Sequence, residues 1–366
     1  METIVVVVMT VFLGFITLVV LFNFFAAPVI KKESYQLRRR PLVSVLIPAR
    51  NEEANIQGCL THVLNQSYLN TEVIVLDDQS EDNTHAIVTE MQKKHPNLKL
   101  FRGRDLPQGW NGKNWACHQL SQKARGEIII FVDADCTLAP WTIESALAMM
   151  ERYGLDLLSS FPTQKLKGIA GFLLVPVMDW LLLSFLPLRM VYLSPHKSFV
   201  AANGQFMTFV RKHYDAIGGH KAVADQVVED MEIARAIKTR GFRMMTALGG
   251  PSISCTMYTS FPDAIRGFSK NFYPGFNTTP LRFSCMIALF AFFYLVPFFL
   301  VFVYTAFLIP VALIYLQRIL LAFTDRQNPL TNALLHPLQM VFMVVVGINS
   351  MRVAEGKKIV WKGRRV

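Results

Sequence analysis

The chain has 366 residues, 52% of them hydrophobic, and carries a formal net charge of +11. The length allows one large domain or two ordinary ones, and the apolar fraction exceeds that of an ordinary soluble protein. The basic residues crowd beside apolar runs instead of interleaving with stacking aromatics, which excludes a nucleic-acid binder and makes anionic lipid headgroups the simpler partner. Cys59, Cys117, Cys136, Cys255 and Cys285 are odd in number and lack C-x-x-C spacing, a pattern of a reduced, cytosolic catalytic face and not of a zinc site.

Taken from the amino terminus, the run from Ile4 to Ile30 has no charged residue and exceeds the roughly 20 residues that cross a bilayer. It reads as an N-terminal transmembrane anchor over residues 1–30, because a cleaved signal peptide needs a basic n-region and a shorter apolar core. Lys31, Lys32, Arg38, Arg39 and Arg40 follow, which places this end of the span on the cytoplasmic side. Residues 41–282 have the character of one α/β domain with a mostly parallel sheet. Strands are predicted at Val43–Ile47, Glu72–Leu76, Lys99–Phe101 and Glu127–Val132, with helical periodicity between them. The first helix is expected from Glu53 onward with Asn51 as its cap. Within this region 169–193 is strongly apolar but interrupted by Pro176, Asp179, Pro187 and Arg189. It is a poor span, and reads either as an interfacial helix pair or as a core helix pair under the sheet. Residues 283–350 hold the C-terminal transmembrane helices, expected as one crossing over 283–316 and one over 333–350. A helical hairpin in the first run is the alternative. Three spans agree with a basic cytoplasmic tail over 351–366.

Chemistry concentrates at predicted strand ends. Ile128 to Val132 delivers Asp133-Ala134-Asp135, two carboxylates separated by one small residue, at the end of a strand buried on both faces. Hard oxygen ligands there suit Mg²⁺ or Mn²⁺ on a diphosphate; a capped turn is the bland alternative. The turns Ala49-Arg50-Asn51-Glu52 and Asp77-Asp78-Gln79-Ser80 lie where a nucleotide binds in α/β folds. Each is equally an ordinary polar turn. Lys113 follows a Gly-rich loop at a helix start and suits a diphosphate, although the loop's tryptophans are consistent with simple anchoring. Glu229-Asp230 opens another helix. The helix dipole favours acids there whatever the function and is expected to keep Asp230 ionised, as a general base must be. Arg266 and Lys270 sit in a short segment before the membrane, suited to a diphosphate or to headgroups.

Together VLIPARNEE, LDDQS, GKNWA, DAD and VED resemble a family 2 glycosyltransferase of GT-A fold over residues 41 to 275. The resemblance implies an inverting, metal-dependent enzyme using a nucleotide sugar. It assigns Asp230 as catalytic base and Asp133 and Asp135 to the nucleotide and a divalent metal (Mg²⁺ or Mn²⁺), while the strand-end turns, the Gly-rich loop and the segment before the membrane add Ala49, Arg50, Glu52, Asp78, Lys113, Arg266 and Lys270 as nucleotide-sugar candidates. Gly109-Trp110-Asn111-Gly112-Lys113, Gly218-Gly219-His220-Lys221, His336-Pro337-Leu338 and Trp361-Lys362-Gly363-Arg364 are similar to bacterial carotenoid glycosyltransferases of the diaponeurosporenoate type and to hopanoid-associated relatives. Processive synthases of the family carry Q-x-x-R-W after the base, and no such run follows Asp230. The expectation is one hexose moved from a UDP-sugar to a membrane lipid. Polyprenyl phosphate and diacylglycerol are alternative acceptors, and a non-catalytic membrane binding module is the alternative of another class.

Overall fold

The computed structural model describes residues 2–32, 35–258, 260–356, 360–361 and 364–365. Lys357, Lys358 and Lys362 of the expected basic tail, and Gly363, lie outside the described residues. The chain begins with α1 (Glu2–Ala26), β1 (Val43–Ala49), α2 (Ile56–Leu64), β2 (Thr71–Asp77), α3 (Thr84–Lys94), β3 (Leu98–Arg102), α4 (Gly112–Lys123) and β4 (Ile128–Val132). Next come β5 (Cys136–Leu138), α5 (Thr142–Tyr153), β6 (Leu157–Phe161), β7 (Thr163–Gln164), α6 (Gly168–Leu173), α7 (Val175–Phe185) and α8 (Met190–Leu193). They lead to β8 (Phe206–Val210), α9 (Arg211–Ala216), α10 (Glu229–Thr239), β9 (Met244–Leu248) and β10 (Ile253–Cys255). The last helices are α11 (Phe261–Gly275), α12 (Pro280–Leu300), α13 (Leu308–Thr324), α14 (Pro329–Leu334) and α15 (His336–Glu355).

Two compact units result. One comprises Pro28–Thr163, Val191–Cys255 and Val360–Val366; the other comprises Met1–Ala27, Gln164–Met190 and Thr256–Ile359. The α/β unit therefore omits 164–190 and 256–359, whereas the sequence pattern points to one stretch over 41–282.

In the α/β unit a seven-stranded sheet has the order β3-β2-β1-β4-β8-β6-β9. The four predicted strands appear where expected, each within two residues at either end. β1 pairs parallel with both β2 and β4. Between β4 and β6, β8 runs antiparallel to both. Val43, Val45, Leu46 and Ile47 are fully buried, as are Val73, Ile74 and Val75 of β2, which explains why these strands read as continuous apolar runs and not as alternating ones. The chain order reverses between β1 and β4, so the loops after β1, β2 and β4 open into one crevice. The helix after β1 starts at Ile56 and not at Glu53, with Asn55 in the cap position. Asn51 adopts φ 52° and belongs to the turn.

The far ends of these strands are fastened by Glu72, which is 3% exposed. Its carboxylate accepts from Ser44 Oγ at 2.7 Å, the Arg125 backbone N–H at 2.7 Å, Arg125 Nε at 3.0 Å and Lys99 Nζ at 3.1 Å. Burial alone would raise its pKa, but these donors hold it down at about 2.

Among the described residues of the helical unit, five helices are long and apolar enough to cross a membrane: Glu2–Ala26, Gly168–Phe185, Pro280–Leu300, Thr305–Thr324 and His336–Glu355. The run 283–316, expected as one crossing, is two helices broken between Leu300 and Leu308. That break realises the hairpin alternative and removes the parity argument for three spans. The 169–193 segment is not a core pair of the α/β unit. Its α7 packs on α1, α13 and α15 within the helical unit, and Gly168–Phe185 meets the length and hydropathy of a span. Polar side chains there are paired across helices: Gln317 Nε2 donates to Leu13 O and Thr17 Oγ1, both at 3.0 Å, and Asn23 Nδ2 donates to Leu183 O at 2.7 Å. Such pairing is required where no water is available.

Glu72→Gln should lower stability by about 2 kcal/mol at pH 7, because it strips charge from a buried acceptor of several donors. The wild-type advantage comes from a depressed pKa, so it is present above about pH 4.5 and lost as the pH falls towards 2. Unfolding midpoints of both proteins at pH 7 and pH 3 check it, and an equal gap at both pH values would contradict it.

Candidate active site

The first two turns are laced together. Arg50 Nη1 donates to Asp78 O at 2.6 Å and Gln79 O at 3.1 Å, Asp78 N donates to Ala49 O at 2.8 Å, and Glu52 N donates to Thr84 Oγ1 at 2.7 Å. Asn51 Oδ1 accepts from Glu81 N at 2.9 Å, so its work is between turns and not at a helix start. Ala49, Arg50, Glu52 and Asp78 thus meet at the ends of β1 and β2, as expected. Arg50 is 7% exposed and Asp78 1%. Beside them lies a cavity of about 800 Å³ lined by Arg50, Gln79, Glu81, Arg102, Arg104 and Asp105, a volume suited to a nucleoside. Trp115 Nε1 donates to Arg104 O at 3.2 Å, so the loop tryptophans do serve as anchors, and they anchor this wall.

At the end of β4, Asp133 N donates to Gln205 O at 3.1 Å and Cys136 N to Asp133 O at 3.1 Å. This tight turn presents both D-x-D carboxylates. Asn111 caps α4 by accepting from Lys113 N, which sends the Lys113 side chain toward them. Lys113 Nζ lies 3.0 Å from Asp133 Oδ2 and 3.3 Å from Glu229 Oε1. Buried Asn114 donates Nδ2 to Val223 O at 2.7 Å and Gln226 O at 2.9 Å, fixing the segment that enters α10. There Asp230 Oδ2 accepts from Gly204 N at 2.9 Å and Oδ1 from Met231 N at 2.8 Å. Asp133, Asp135, Lys113 and Asp230 are therefore brought together. Arg266 and Lys270 lie on α11 of the helical unit, where Arg266 pairs with Asp263 one turn earlier.

The charge balance is lopsided. Burial raises the pKa of Asp135 to about 6, with Asp133 and Glu52 adding to it. Burial likewise raises Asp133, against the pull of Lys113. Burial lowers Lys113, but Asp133 and Glu229 overcome this and hold it well above its ordinary value. Asp230 is pushed up to about 7 by burial and by Glu229, with Lys113 and the N–H groups of Met231 and Gly204 opposing. The expectation that a helix dipole keeps Asp230 ionised is corrected here, since burial and a neighbouring acid outweigh the dipole. A carboxylate with a pKa near 7 is a stronger base than an ordinary one and well matched to taking a proton at neutral pH. Excess negative charge on hard oxygens at Asp133 and Asp135 fits a divalent cation.

Glu229, Gly204, Arg102, Arg104 and Asp105 were not singled out by sequence reasoning. Glu229 stands beside Asp230 in the acidic pair, and Gly204 is an isolated glycine before an apolar strand. A Cβ on Gly204 would lie 2.9 Å from Lys113 Nζ and 3.3 Å from Glu229 Oε1. Any larger residue there would have to push the ends of the Lys113 and Glu229 side chains aside.

The arrangement of strand ends and carboxylates in the α/β unit is similar to that of known glycosyltransferases. Residues 44–206 match glycosyl transferase family 2. Among its relatives, the 4,4'-diaponeurosporenoate glycosyltransferase of Staphylococcus haemolyticus is 26% identical over 258 residues, 68% of this chain and 65% of that protein. The Staphylococcus aureus (strain MRSA252) protein of the same name is 26% identical over 293 residues, 76% of this chain and 74% of its own. The beta-monoglucosyldiacylglycerol synthase of Trichormus variabilis is 35% identical over 114 residues, 31% of this chain and 24% of that one. This chain thus spans less than two thirds of the first and third of these relatives. A mannosyltransferase from Pyrobaculum calidifontis, solved with GDP-Man and Mn²⁺, has a TM-score of 0.55 at 18% identity, over 96% of this chain and 98% of that one. That likeness is one of fold.

Gly204→Ala should displace Lys113 and reduce turnover at least about tenfold, since misplacing a positioned group by about 1 Å costs up to about 100-fold; initial rates check it. Because Asp230 has a higher pKa folded than unfolded, its contribution favours the fold at low pH and is lost as the pH rises from about 4 through about 7. Asp230→Asn should accordingly raise the unfolding midpoint at pH 8 by about 2 °C or more, with the gain shrinking towards pH 4. A variant no more stable than wild type at pH 8 would contradict the burial argument.

Proposed function

We propose that the chain transfers a single hexose from a UDP-sugar to a lipid acceptor in the membrane, with inversion at the anomeric carbon, and that the acceptor is a carotenoid or related terpenoid. The observation that carries this reading is the convergence of Asp133 and Asp135 from β4 with Asp230 from α10 around one lysine, Lys113. Asp133 and Asp135 would hold the Mg²⁺ or Mn²⁺ ion that the donor set fits. Bound there, the cation supplies electrostatic stabilisation of the departing diphosphate. Lys113 adds a point charge on the same side, steadied by Glu229. The cavity beside Arg50 and Asp78 supports nucleoside binding. Asp230 accepts the acceptor's proton from the face opposite the leaving group, which is the geometry of inversion.

Support for a lipid acceptor comes from the five helices long and apolar enough to cross a membrane and from relatives named for 4,4'-diaponeurosporenoate and for monoglucosyldiacylglycerol. The basic cluster from Lys31 to Arg40 supports a cytoplasmic face for the α/β unit. Absence of a Q-x-x-R-W run after Asp230 supports one transfer and not polymerisation.

Membranes containing the chain, supplied with radiolabelled UDP-glucose and either carotenoid or total bacterial lipid, should incorporate label into organic-extractable material when Mg²⁺ or Mn²⁺ is present. Asp135→Ala should reduce incorporation at least about 100-fold. A carboxylic-acid acceptor is already ionised at pH 7 and has no proton to surrender, so Asp230→Asn should then cost less than Asp135→Ala. Equal, complete loss in both would mark a hydroxyl acceptor such as diacylglycerol, and no label from any UDP-sugar would return the binding-module alternative.

A further inference from the structure

Cys136 and Cys255 belong to no sequence motif, yet β5 and β10 pair antiparallel with these two residues directly opposite each other. Both are 1% exposed. A carboxylate oxygen of Asp135 and the two sulfurs lie within 4.8 Å of one another. Cys136 Sγ is 3.8 Å from Asp135 Oδ1 and 3.5 Å from Gln205 O, and Gln205 Nε2 donates to Cys255 Sγ at 2.9 Å. We propose that Asp135, Cys136 and Cys255 form a binding site for a thiophilic divalent cation of the Zn²⁺ class, different in chemistry from the hard-cation site of the D-x-D pair and sharing one ligand with it.

The donor set argues for this cation. Two sulfurs and one carboxylate oxygen match zinc, whereas Mg²⁺ and Mn²⁺ favour oxygen throughout. Sulfurs on one tetrahedral zinc, at bonds of about 2.3 Å, lie about 3.8 Å apart, so the cluster needs only small side-chain adjustments on two neighbouring strands of the three-stranded sheet β5-β10-β7. Binding converts both thiols to thiolates and releases two protons to solvent for each cation taken up. The Gln205 amide that already points at Cys255 is the kind of N–H donor that steadies a metal-bound thiolate. Asp135 is only partly buried, and provides the entry path and an open coordination position for water. Spacing along the chain conceals the site because its cysteines meet through strand pairing and not through a local motif. One consequence rests on the glycosyltransferase reading: a cation held here takes Asp135 from the diphosphate metal, and Zn²⁺ should therefore inhibit transfer in competition with Mn²⁺.

The test is a Cd²⁺ titration of the full chain in detergent with excess Mg²⁺, in a Cys285→Ser background that removes the exposed thiol, followed by ultraviolet sulfur-to-cadmium charge-transfer absorption and by proton release. One Cd²⁺ per chain is expected, with about two protons released. Cys136→Ser or Cys255→Ser should weaken binding at least about tenfold. If either variant fails to fold, the background protein still decides: no charge-transfer band at stoichiometric Cd²⁺ overturns the proposal, as does a band unchanged in the double Cys136→Ser, Cys255→Ser variant. The titration needs no donor or acceptor, so loss of this site and failure of the transferase reading give separate signatures.

Discussion

Lys113 is the interaction on which the site depends. Its ammonium joins the end of β4, through Asp133, to the start of α10, through Glu229, at 3.0 and 3.3 Å. A partly buried cation between two carboxylates is stabilising only while both partners remain, because a buried charge stripped of its partner costs about 3–5 kcal/mol. The backbone adapts to this lysine: Gly204 leaves room for it, Asn111 caps the helix that carries it, and Asn114 ties that helix to the approach to α10. Even so, one lysine faces Asp133, Asp135, Glu52, Glu229 and Asp230. Burial is the main reason that Asp135 and Asp230 are raised, and the remaining negative charge adds to it.

Features written in short stretches of chain were legible before the fold was known. Ile128 to Val132 reads as a doubly buried strand because five apolar residues follow one another, and the D-x-D pair at its end needs only that strand to be placed. Lys113 and Asp230 were legible as residues at helix starts. The reasons for their roles were not, since the ion pairs join residues 20 and 116 positions apart, and no local pattern encodes that closeness. Gly204 illustrates the same limit: its importance lies in a side chain from α4, nearly a hundred residues away. The start of α2 was misplaced because Asn51, a good cap by type, is occupied between two turns. The protonation state of Asp230 was misjudged because a helix dipole can be inferred from sequence whereas burial cannot.

The helical unit follows a different logic. Its exterior is apolar, as at Phe25, Phe299 and Phe302, and polar side chains inside it such as Asn23, Gln317 and Asp179 are paired with one another or with backbone carbonyls. Asp179, which made 169–193 look unfit as a span, accepts from Gln327 Nε2 at 2.7 Å. The break in 283–316 is similarly invisible to hydropathy, because the connecting residues 301–307 are apolar or aromatic except for Thr305.

The central claim is that Asp133 and Asp135 recruit a divalent cation which in turn holds the donor diphosphate. Isothermal titration of UDP into the full chain, with and without Mn²⁺, and into Asp135→Ala, tests it most directly. The account predicts UDP binding that requires Mn²⁺ and is lost in the variant; equal UDP affinity with and without Mn²⁺, or in both proteins, would contradict it.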